Sequence, residues 1–241
     1  MTPDQPYATG LTRSNIERAL ADAGKPIDAL RPSDLAMLED FHSLGRLATA
    51  ALIDLAHISE GDRVLDAGTG IGGTARLIAT ERAQRHDRVR TADVTEIPFD
   101  DASFDVVISQ HVQMNVADKR RLYAEARRVL VPGGRLALWD VTAGPGGPPH
   151  LPVPWATAPE QSHLVTPEVL AELLHDAGFA PAHWDDLTQA GEQGMRAFLA
   201  APQSPLGLHV FVPDFATKAA NLVTNLAEDR ARLIRAVMTA V

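Results

Sequence analysis

The chain has 241 residues, of which 45% are hydrophobic and 22% charged, as is typical of a globular protein with one large domain or a core with an appended lid. Its formal net charge is −9 and its basic residues are scattered, so it lacks the basic face that nucleic-acid binding requires. The absence of cysteine excludes disulfides, zinc thiolate sites and cysteine nucleophiles. No group of His, Asp and Glu has metal-ligand spacing, so no metal site is predicted.

The N-terminal segment is polar and shows no secretory signal. No apolar run approaches the roughly 18 residues that a membrane-spanning helix needs. We therefore expect a cytoplasmic protein with no membrane partner, and a homodimer is a further expectation.

Helical periodicity dominates the first part of the chain. Short helices are expected over residues 16–23 and from Pro32 onward, and a longer one over about residues 43–57, where apolar residues recur at helical spacing. These helices precede the first strand. We expect residues 1–58 to form a helical cap over a cofactor.

Strands and helices alternate along the middle of the chain. Strands are predicted at residues 64–66, 89–94, 104–109 and 135–140, and helices at residues 74–82 and 118–130. The strand at 104–109 is apolar without alternation, as a buried parallel strand is. This order predicts an α/β fold with a Rossmann-like, doubly wound, mostly parallel sheet over residues 59–241.

The last third of the chain begins with a stretch rich in proline and glycine. We expect residues 143–165 to form a substrate lid, because long irregular loops above a sheet are commonly functional. Further elements are predicted as a helix after the Thr166 cap, a strand at 179–187, a helix at 215–229 and a final strand at 234–241, preferred over 209–212.

A glycine-rich turn follows the first strand. Gly68, Gly70 and Gly73 satisfy GxGxxG, the dinucleotide fingerprint, whereas Gly68, Gly70 and Gly72 fit a loop that binds S-adenosylmethionine (SAM). Asp66 decides between these templates, because its carboxylate would repel a pyrophosphate at the following helix. SAM carries a cationic ammonium and a cationic sulfonium, so the sequence favours SAM over NAD.

Three segments in order carry a more specific pattern: VLDAGTGIGGTA, DVTEIPFDDASFDVVISQHVQMNVADK and EARRVLVPGGRLALWDV. Together they resemble the signatures of class I SAM-dependent methyltransferases over roughly residues 35–185. The stretch DFHSLGR at residues 40–46 resembles the lead-in of the small-molecule subgroup. That subgroup includes glycine, sarcosine and dimethylglycine N-methyltransferases and natural-product sugar O-methyltransferases.

The resemblance implies roles for residues of the three segments and of the lead-in. At the methionine and ribose end of SAM it places Asp66, Gly68, Thr69 and Gly70. Beside the adenine it places Asp93 and Val94. Near the sulfonium it places Ser109, Gln110 and His111, and over the cofactor carboxylate it places Gly45, Arg46 and Thr49.

The sequence departs from this family between the glycine loop and residue 104. A second strand, ending in the acid that binds the ribose hydroxyls, has no counterpart, and about 25 to 30 residues are missing by the size of a βαβ unit. Three explanations are open. This sequence lacks a segment that the protein contains, the protein itself carries a deletion, or residues 89–94 are the second strand and Asp93 is the ribose acid.

Methyl transfer depends mainly on aligning the nucleophile with the methyl–sulfur axis, and a base is needed only where the nucleophile must lose a proton. His111 is the candidate base, although related sugar O-methyltransferases have a histidine pair where this chain has Met114 and Asn115. Asp140, at a strand end, is a second candidate catalytic residue that could orient a base or a cationic substrate. For substrate binding, the candidates are His150, Trp155 and Tyr7.

The sequence therefore predicts SAM-dependent transfer of a methyl group to an N or O nucleophile of a small-molecule metabolite. Two alternatives stay open. One is a truncated, non-catalytic Rossmann-like protein that no longer binds SAM well. The other is an NAD-dependent oxidoreductase, which leaves Asp66 unexplained.

Overall fold

A mixed sheet of five strands forms the centre of the fold in the computed structural model, which describes residues 11–39, 42–81, 89–202 and 204–241. The strands are β1 (Val64–Ala67), β2 (Phe104–Gln110), β3 (Leu130–Ala143), β4 (Phe179–Asp186) and β5 (Ala231–Ala240). Their spatial order is β1-β2-β3-β5-β4. The pairs β1–β2 and β2–β3 are parallel, and β5 runs antiparallel to β3 and β4. The predicted Rossmann-like, mostly parallel sheet is thereby confirmed.

Eight α-helices surround this sheet in the described part of the chain. They are α1 (Thr12–Asp22), α2 (Pro32–Glu39), α3 (Gly45–Leu55), α4 (Gly73–Glu81), α5 (Lys119–Val129), α6 (Pro167–Asp176), α7 (Thr188–Ala200) and α8 (Phe215–Ala227). The sequence predicted each of them except α7. Among the described residues, no helix is long and apolar enough to cross a membrane.

Both faces of the central strands are buried, as the unbroken apolar run of β2 predicts. On β3, Trp139 and Val141 point to one face, where α3, α4 and α8 supply side chains such as Leu222. Leu136 and Leu138 point to the other face, which α5 and α6 cover. Each fully buried Leu contributes about 1.5–3 kcal/mol through its transfer from water. This burial fixes which strand ends meet at one edge of the sheet.

The N-terminal helices share a core with the segment between β4 and β5. Leu20 of α1 and Leu38 of α2 pack with Phe211 and with Phe215 of α8. Helix α3 belongs instead to the core of the sheet, through Leu52 and its neighbours. The described helices α1, α2 and α3 therefore pack on α7, on α8 and on the sheet.

The predicted strand at residues 89–94 is wrong. Residues 89–92 have no regular structure, and Asp93 forms only an isolated bridge with Glu96. Val89 is 61% exposed, and the Asp93 carboxylate accepts hydrogen bonds from the backbone and hydroxyl of Thr95, which bends the chain locally. An exposed segment with such a turn gains too little from strand pairing.

β1 is an edge strand, since within the described ranges its only strand partner is β2. Residues 89–94 therefore do not act as the second strand of the family pattern. The explanations that remain are a segment lacking from this sequence and a deletion in the protein.

Two further boundaries refine the prediction. β3 begins at Leu130, five residues before the predicted start. The Pro-Gly-Gly stretch belongs to the strand, and glycine allows the positive φ of 75° that position 133 adopts there. The final strand is β5, at the preferred C-terminal position, whereas residues 208–210 form a 3-10 turn.

Candidate functional site

The glycine loop leaves the carboxyl end of β1 and leads into α4. Gly68, Gly70 and Gly72 have φ values of 91°, 54° and 89°, in the left-handed region where glycine costs least. The Gly72 amide donates to the Thr69 carbonyl at 2.8 Å, and this closes the turn. Asp66 lies half-buried in β1, opposite Ile108 of β2.

Gly68 touches the loop that follows β2. A Cβ atom at position 68 would lie 2.3 Å from Cγ2 of Val112, closer than any real contact. Gln110, at the end of β2, donates through Nε2 to Oγ1 of Thr74 in α4 at 2.9 Å. Ser109 is buried beside Ala67 of β1. The two loops that the sequence assigned to one cofactor are therefore in contact.

His111 is held in a strained backbone conformation at this junction. Its φ is 53°, and its amide donates to the Trp139 carbonyl at 2.7 Å. The imidazole stacks on the Trp139 ring at 6.2 Å and meets the edge of the His42 ring at 5.8 Å. Its Nε2 is shielded from solvent and has no hydrogen-bond partner among the described residues. Burial, with a smaller contribution from His42, lowers the pKa of His111 well below its usual value of 6.5, so the ring is neutral at pH 7.

His42 brings the N-terminal helices into the site. Its Nδ1 lies 3.2 Å from the Ser43 carbonyl, which can only accept, so Nδ1 carries the proton. Its Nε2 then accepts from the Thr49 hydroxyl at 2.9 Å. The Trp139 indole also donates to the Ser43 carbonyl, at 3.0 Å. His42 lies within the stretch DFHSLGR, but the sequence does not predict its proximity to His111, because that depends on how α3 packs on the sheet.

Asp140 is 1% exposed and shares the β3 face that α5 covers. Its Oδ2 accepts from the Gln113 amide at 3.4 Å, and burial raises the pKa of its carboxyl group to about 8. Tyr123 on α5 is also buried, and this burial, with a smaller contribution from the Asp140 carboxylate, raises the pKa of its hydroxyl well above the usual value. Asp140 therefore braces the loop that carries His111, and its predicted catalytic role stays a prediction.

Lys119, at the start of α5, is a buried cation that sequence reasoning missed. Its Nζ donates to the carbonyls of Gln113 at 3.0 Å, of Val116 at 2.8 Å, and of His163. Burial lowers the pKa of Lys119 to about 8. This ammonium ties the loop after β2 to the end of the predicted lid.

Arg46 and Gly45 lie at the start of α3. The Arg46 guanidinium contacts the Glu39 carboxylate at 2.6 Å, so an ion pair within the protein already engages the residue predicted to hold the cofactor carboxylate. Gly45 adopts a φ of 51°. Their roles toward a cofactor stay predictions.

Asp93 and Val94 lie after residues 82–88, which are outside the described part of the chain. Asp93 is exposed and bound to Thr95, and this interaction lowers the pKa of its carboxyl group. Val94 is half-buried against the core that α5 and α6 cover. The structure does not bring Asp93 to a strand end, so its predicted contact with adenine has no geometric support here.

The predicted lid packs closely on α8. The His150 amide donates to Oδ1 of Asn225 at 2.7 Å, and its ring lies 2.9 Å from Oε2 of Glu228. Trp155 is 3% exposed, donates to Oγ of Ser162 at 3.0 Å and belongs to the core of the sheet. Tyr7 lies outside the described residues.

The loops at the ends of β1 and β2 fit half of a SAM site. Thr69 Oγ1, Gln110 Oε1 and His111 Nε2 are buried polar atoms without a partner among the described residues, and such atoms are rare unless a ligand or water meets them. A Cβ atom at Gly70 would meet nothing within 4 Å, so the backbone of the loop is open to a ligand there. Within the described ranges, no group of His, Asp and Glu could hold a metal ion.

Comparisons with known proteins show which proteins this chain is similar to. Residues 69–138 match the sequence model of the family described as methyltransferase domain. The chain is 32% identical to erythromycin 3''-O-methyltransferase of Saccharopolyspora erythraea over 170 positions, which cover 53% of this chain and 54% of that protein. It is 29% identical to sarcosine/dimethylglycine N-methyltransferase of Halorhodospira halochloris over 150 positions, which cover 52% and 54%. The chain thus spans about half the length of these curated relatives.

Structural similarity extends over the whole chain. The crystal structure of geranyl diphosphate C-methyltransferase from Streptomyces coelicolor A3(2), solved with S-adenosyl-L-homocysteine, has a TM-score of 0.67 and 16% identity and covers 100% of both chains. At this identity the similarity concerns the fold. Residues 69–138 are therefore similar to a methyltransferase domain, the chain has a Rossmann-like fold, and its predicted resemblance to class I SAM-dependent methyltransferases is confirmed.

The alignment with the erythromycin enzyme runs over 170 positions, but the 53% of this chain that it covers amounts to fewer residues than that. The relative therefore has residues at positions where this chain has none.

Proposed function

We propose that this protein is a SAM-dependent methyltransferase acting on an N or O nucleophile of a small molecule. The observation that carries the proposal is the contact between two loops: the glycine loop after β1, with Asp66 behind it, and the loop after β2, with His111. Cofactor loops of α/β folds lie at the carboxyl ends of parallel strands, where both of these loops lie.

The cofactor, when bound, supplies a methyl group on a sulfonium. The chain's own part is to bind and align. The Asp66 carboxylate favours a cationic group beside the loop, and the open space at Gly70 allows a ligand to approach the backbone. His111 is neutral at pH 7, and its shielded Nε2 is suited to accept the proton that a hydroxyl or ammonium acceptor must lose.

The acceptor is proposed to lie between the cap of residues 1–58 and the lid of residues 143–165. Support comes from His42, which brings the cap to within 5.8 Å of the His111 ring, and from Lys119, which fastens the lid to the loop after β2. His150, Trp155 and Tyr7 remain the proposed substrate contacts. A small metabolite also suits the relatives' names and the net charge of −9.

A homodimer and a cytoplasmic location belong to the same proposal. Light scattering on the purified chain tests the first, and fractionation of the cells that produce it tests the second. A monomer at all concentrations, or recovery outside the cytoplasm, would remove the corresponding part.

Calorimetric titration of the purified chain with S-adenosylhomocysteine (SAH) tests the proposal, with NAD⁺ as the control ligand. We expect saturable SAH binding with one site and no heat from NAD⁺. Transfer of labelled methyl from SAM to a panel of small amines and alcohols then identifies the acceptor class. A folded chain that binds no SAH would contradict the proposed catalytic function.

A second candidate function rests on the edge position of β1. Without a second strand, the acid that would accept from both ribose hydroxyls is lost, and each lost charge-assisted hydrogen bond costs about 1.5–3 kcal/mol. Such a chain would be a non-catalytic Rossmann-like protein. An SAH dissociation constant in the millimolar range, with no methyl transfer, would favour it, as would an intact mass of the natural protein equal to 25.9 kDa.

A further inference from the structure

Glu39, the last residue of α2, carries a carboxylate that joins three elements. Its Oε2 accepts from Nη2 of Arg46 in α3 at 2.6 Å. Its Oε1 accepts from Nε and Nη2 of Arg76 in α4, at 2.9 and 2.6 Å. The Glu39 side chain is 2% exposed, so both ion pairs are shielded from solvent on the carboxylate side.

Gly73 makes this arrangement possible. A Cβ atom at position 73 would lie 2.4 Å from Cβ of Glu39, so any side chain there would push α2 off the first turn of α4. In the sequence, Gly73 completes GxGxxG. In the structure its requirement arises from the close approach of Glu39.

Arg76 transmits the contact to the glycine loop. While paired with Glu39, its Nη2 also donates to the Ile71 carbonyl at 2.8 Å, and its guanidinium lies against Gly72. The loop conformation between Thr69 and Gly72 is thus held from the side of α2. Loss of the carboxylate would leave two neighbouring guanidinium groups without their shared counter-charge.

We propose that Glu39 is a positioning residue for the cofactor loop, which couples docking of the N-terminal cap to the binding conformation of residues 69–73. The ligand in this inference rests on the proposed function. The coupling itself is a property of the chain without ligand. A solvated surface pair would not account for the burial of the carboxylate or for its two-fold use.

The test compares E39Q with the wild-type chain by two measurements: the SAH dissociation constant and amide hydrogen exchange of the unliganded protein. We expect the exchange of residues 69–76 to rise at least about tenfold while the exchange of β2 and β3 stays unchanged. We expect the SAH dissociation constant to rise by about tenfold or more. E17Q is the matched control, since Glu17 forms an exposed pair with Arg13 on α1 and should change neither value.

R76K covers the case in which E39Q does not fold. Lysine keeps the charge but loses the paired contact with Glu39 together with the Ile71 contact, and we expect the same local rise in exchange. Unchanged exchange at residues 69–76 in a folded E39Q or R76K chain would overturn the proposal, as would a rise spread evenly over β2 and β3. A wild-type chain that binds no SAH would count against the proposed function, and the exchange measurement would still decide the role of Glu39.

Discussion

Among single residues, two ionisable side chains of the site, His111 and Asp140, are uncharged at neutral pH because they are buried. His111 and Asp140 are both displaced from their usual pKa by burial, His111 downward and Asp140 upward to about 8. Each therefore favours its uncharged form at neutral pH. The consequence differs: His111 is ready to accept a proton, whereas Asp140 holds one.

Replacing His111 tests its role as a base. We expect H111N to lower kcat by about 10²–10⁴-fold while SAH affinity changes by less than about threefold. Asparagine tolerates the left-handed backbone of position 111. H57N is the matched control, because His57 has a φ of 50° and is exposed. An activity of H111N equal to that of wild type would assign His111 a packing role.

The acidic limb of kcat/KM against pH gives an independent check. Because burial lowers the pKa of His111, we expect this limb to fall below pH 6.5, with activity level from there through neutral pH. A limb centred above pH 7 would show that another group limits the reaction.

Asp140 predicts how stability depends on pH. In the folded chain its pKa is raised to about 8 from an ordinary 3.8, so the folded state keeps a proton that the unfolded chain releases. The stability that this proton provides is complete below about pH 4 and is lost as pH rises toward 8. The pKa of Lys119 is lowered from 10.5 to about 8, so its contribution makes the folded state more stable as pH rises between these two values.

The D140N variant removes this dependence. Asparagine resembles the protonated carboxyl, so we expect D140N and wild type to have similar stability at pH 4 and D140N to be more stable by up to about 5 kcal/mol at pH 8. Urea unfolding at both pH values measures the difference. Parallel stability curves for the two proteins would contradict it.

At the scale of elements, loops are positioned by contacts that cross from one element to another. Gly68 is an example. Its φ of 91° favours glycine for backbone reasons, and its contact with Val112 separately excludes any side chain at this position. Lys119 at the start of α5 likewise fastens two loops through three carbonyl groups. Neither contact follows from local propensity.

We expect G68A to destabilise the fold by about 1–3 kcal/mol and to abolish measurable SAH binding, because the new methyl group enters Val112. G61A is the matched control: Gly61 has a φ of 95° and open space around it. It should show the backbone strain alone, with SAH affinity unchanged. Equal effects of the two changes would remove the argument from loop contact.

We expect K119M to lower Tm by about 5–15 °C, since three buried carbonyl groups lose their donor. R120M is the control, because Arg120 forms an exposed pair with Asp176, and its replacement should shift Tm by less than about 2 °C. Differential scanning fluorimetry measures both. A K119M chain as stable as wild type would show that water replaces the ammonium.

At the scale of the whole molecule, ligand binding and folding are linked. At an SAH concentration about 100 times its dissociation constant, stability should increase by about 2.7 kcal/mol and Tm by about 5–10 °C. NAD⁺ at the same concentration should leave Tm unchanged. A shift with NAD⁺ and none with SAH would reverse the cofactor assignment.

Much of this fold was predictable because its signals are local. Apolar runs determine β2 and β3, the Thr166 cap followed by proline starts α6, and Gly178 ends it. The glycine loop followed from its spacing, and Asp66 indicated a cationic ligand. The prediction at residues 89–94 was wrong, since their composition suits a strand but none of the described strands pairs with them.

The α/β order, the glycine loop and the family resemblance follow from local sequence, because periodicity and glycine spacing act over a few residues. The packing of the elements was needed to show that α7 and α8 support the N-terminal helices, that His42 meets His111, and that Glu39 contacts Arg76 beside the glycine loop. These contacts join residues far apart in the chain. Whether two such side chains meet depends on how whole elements pack, which no local pattern encodes.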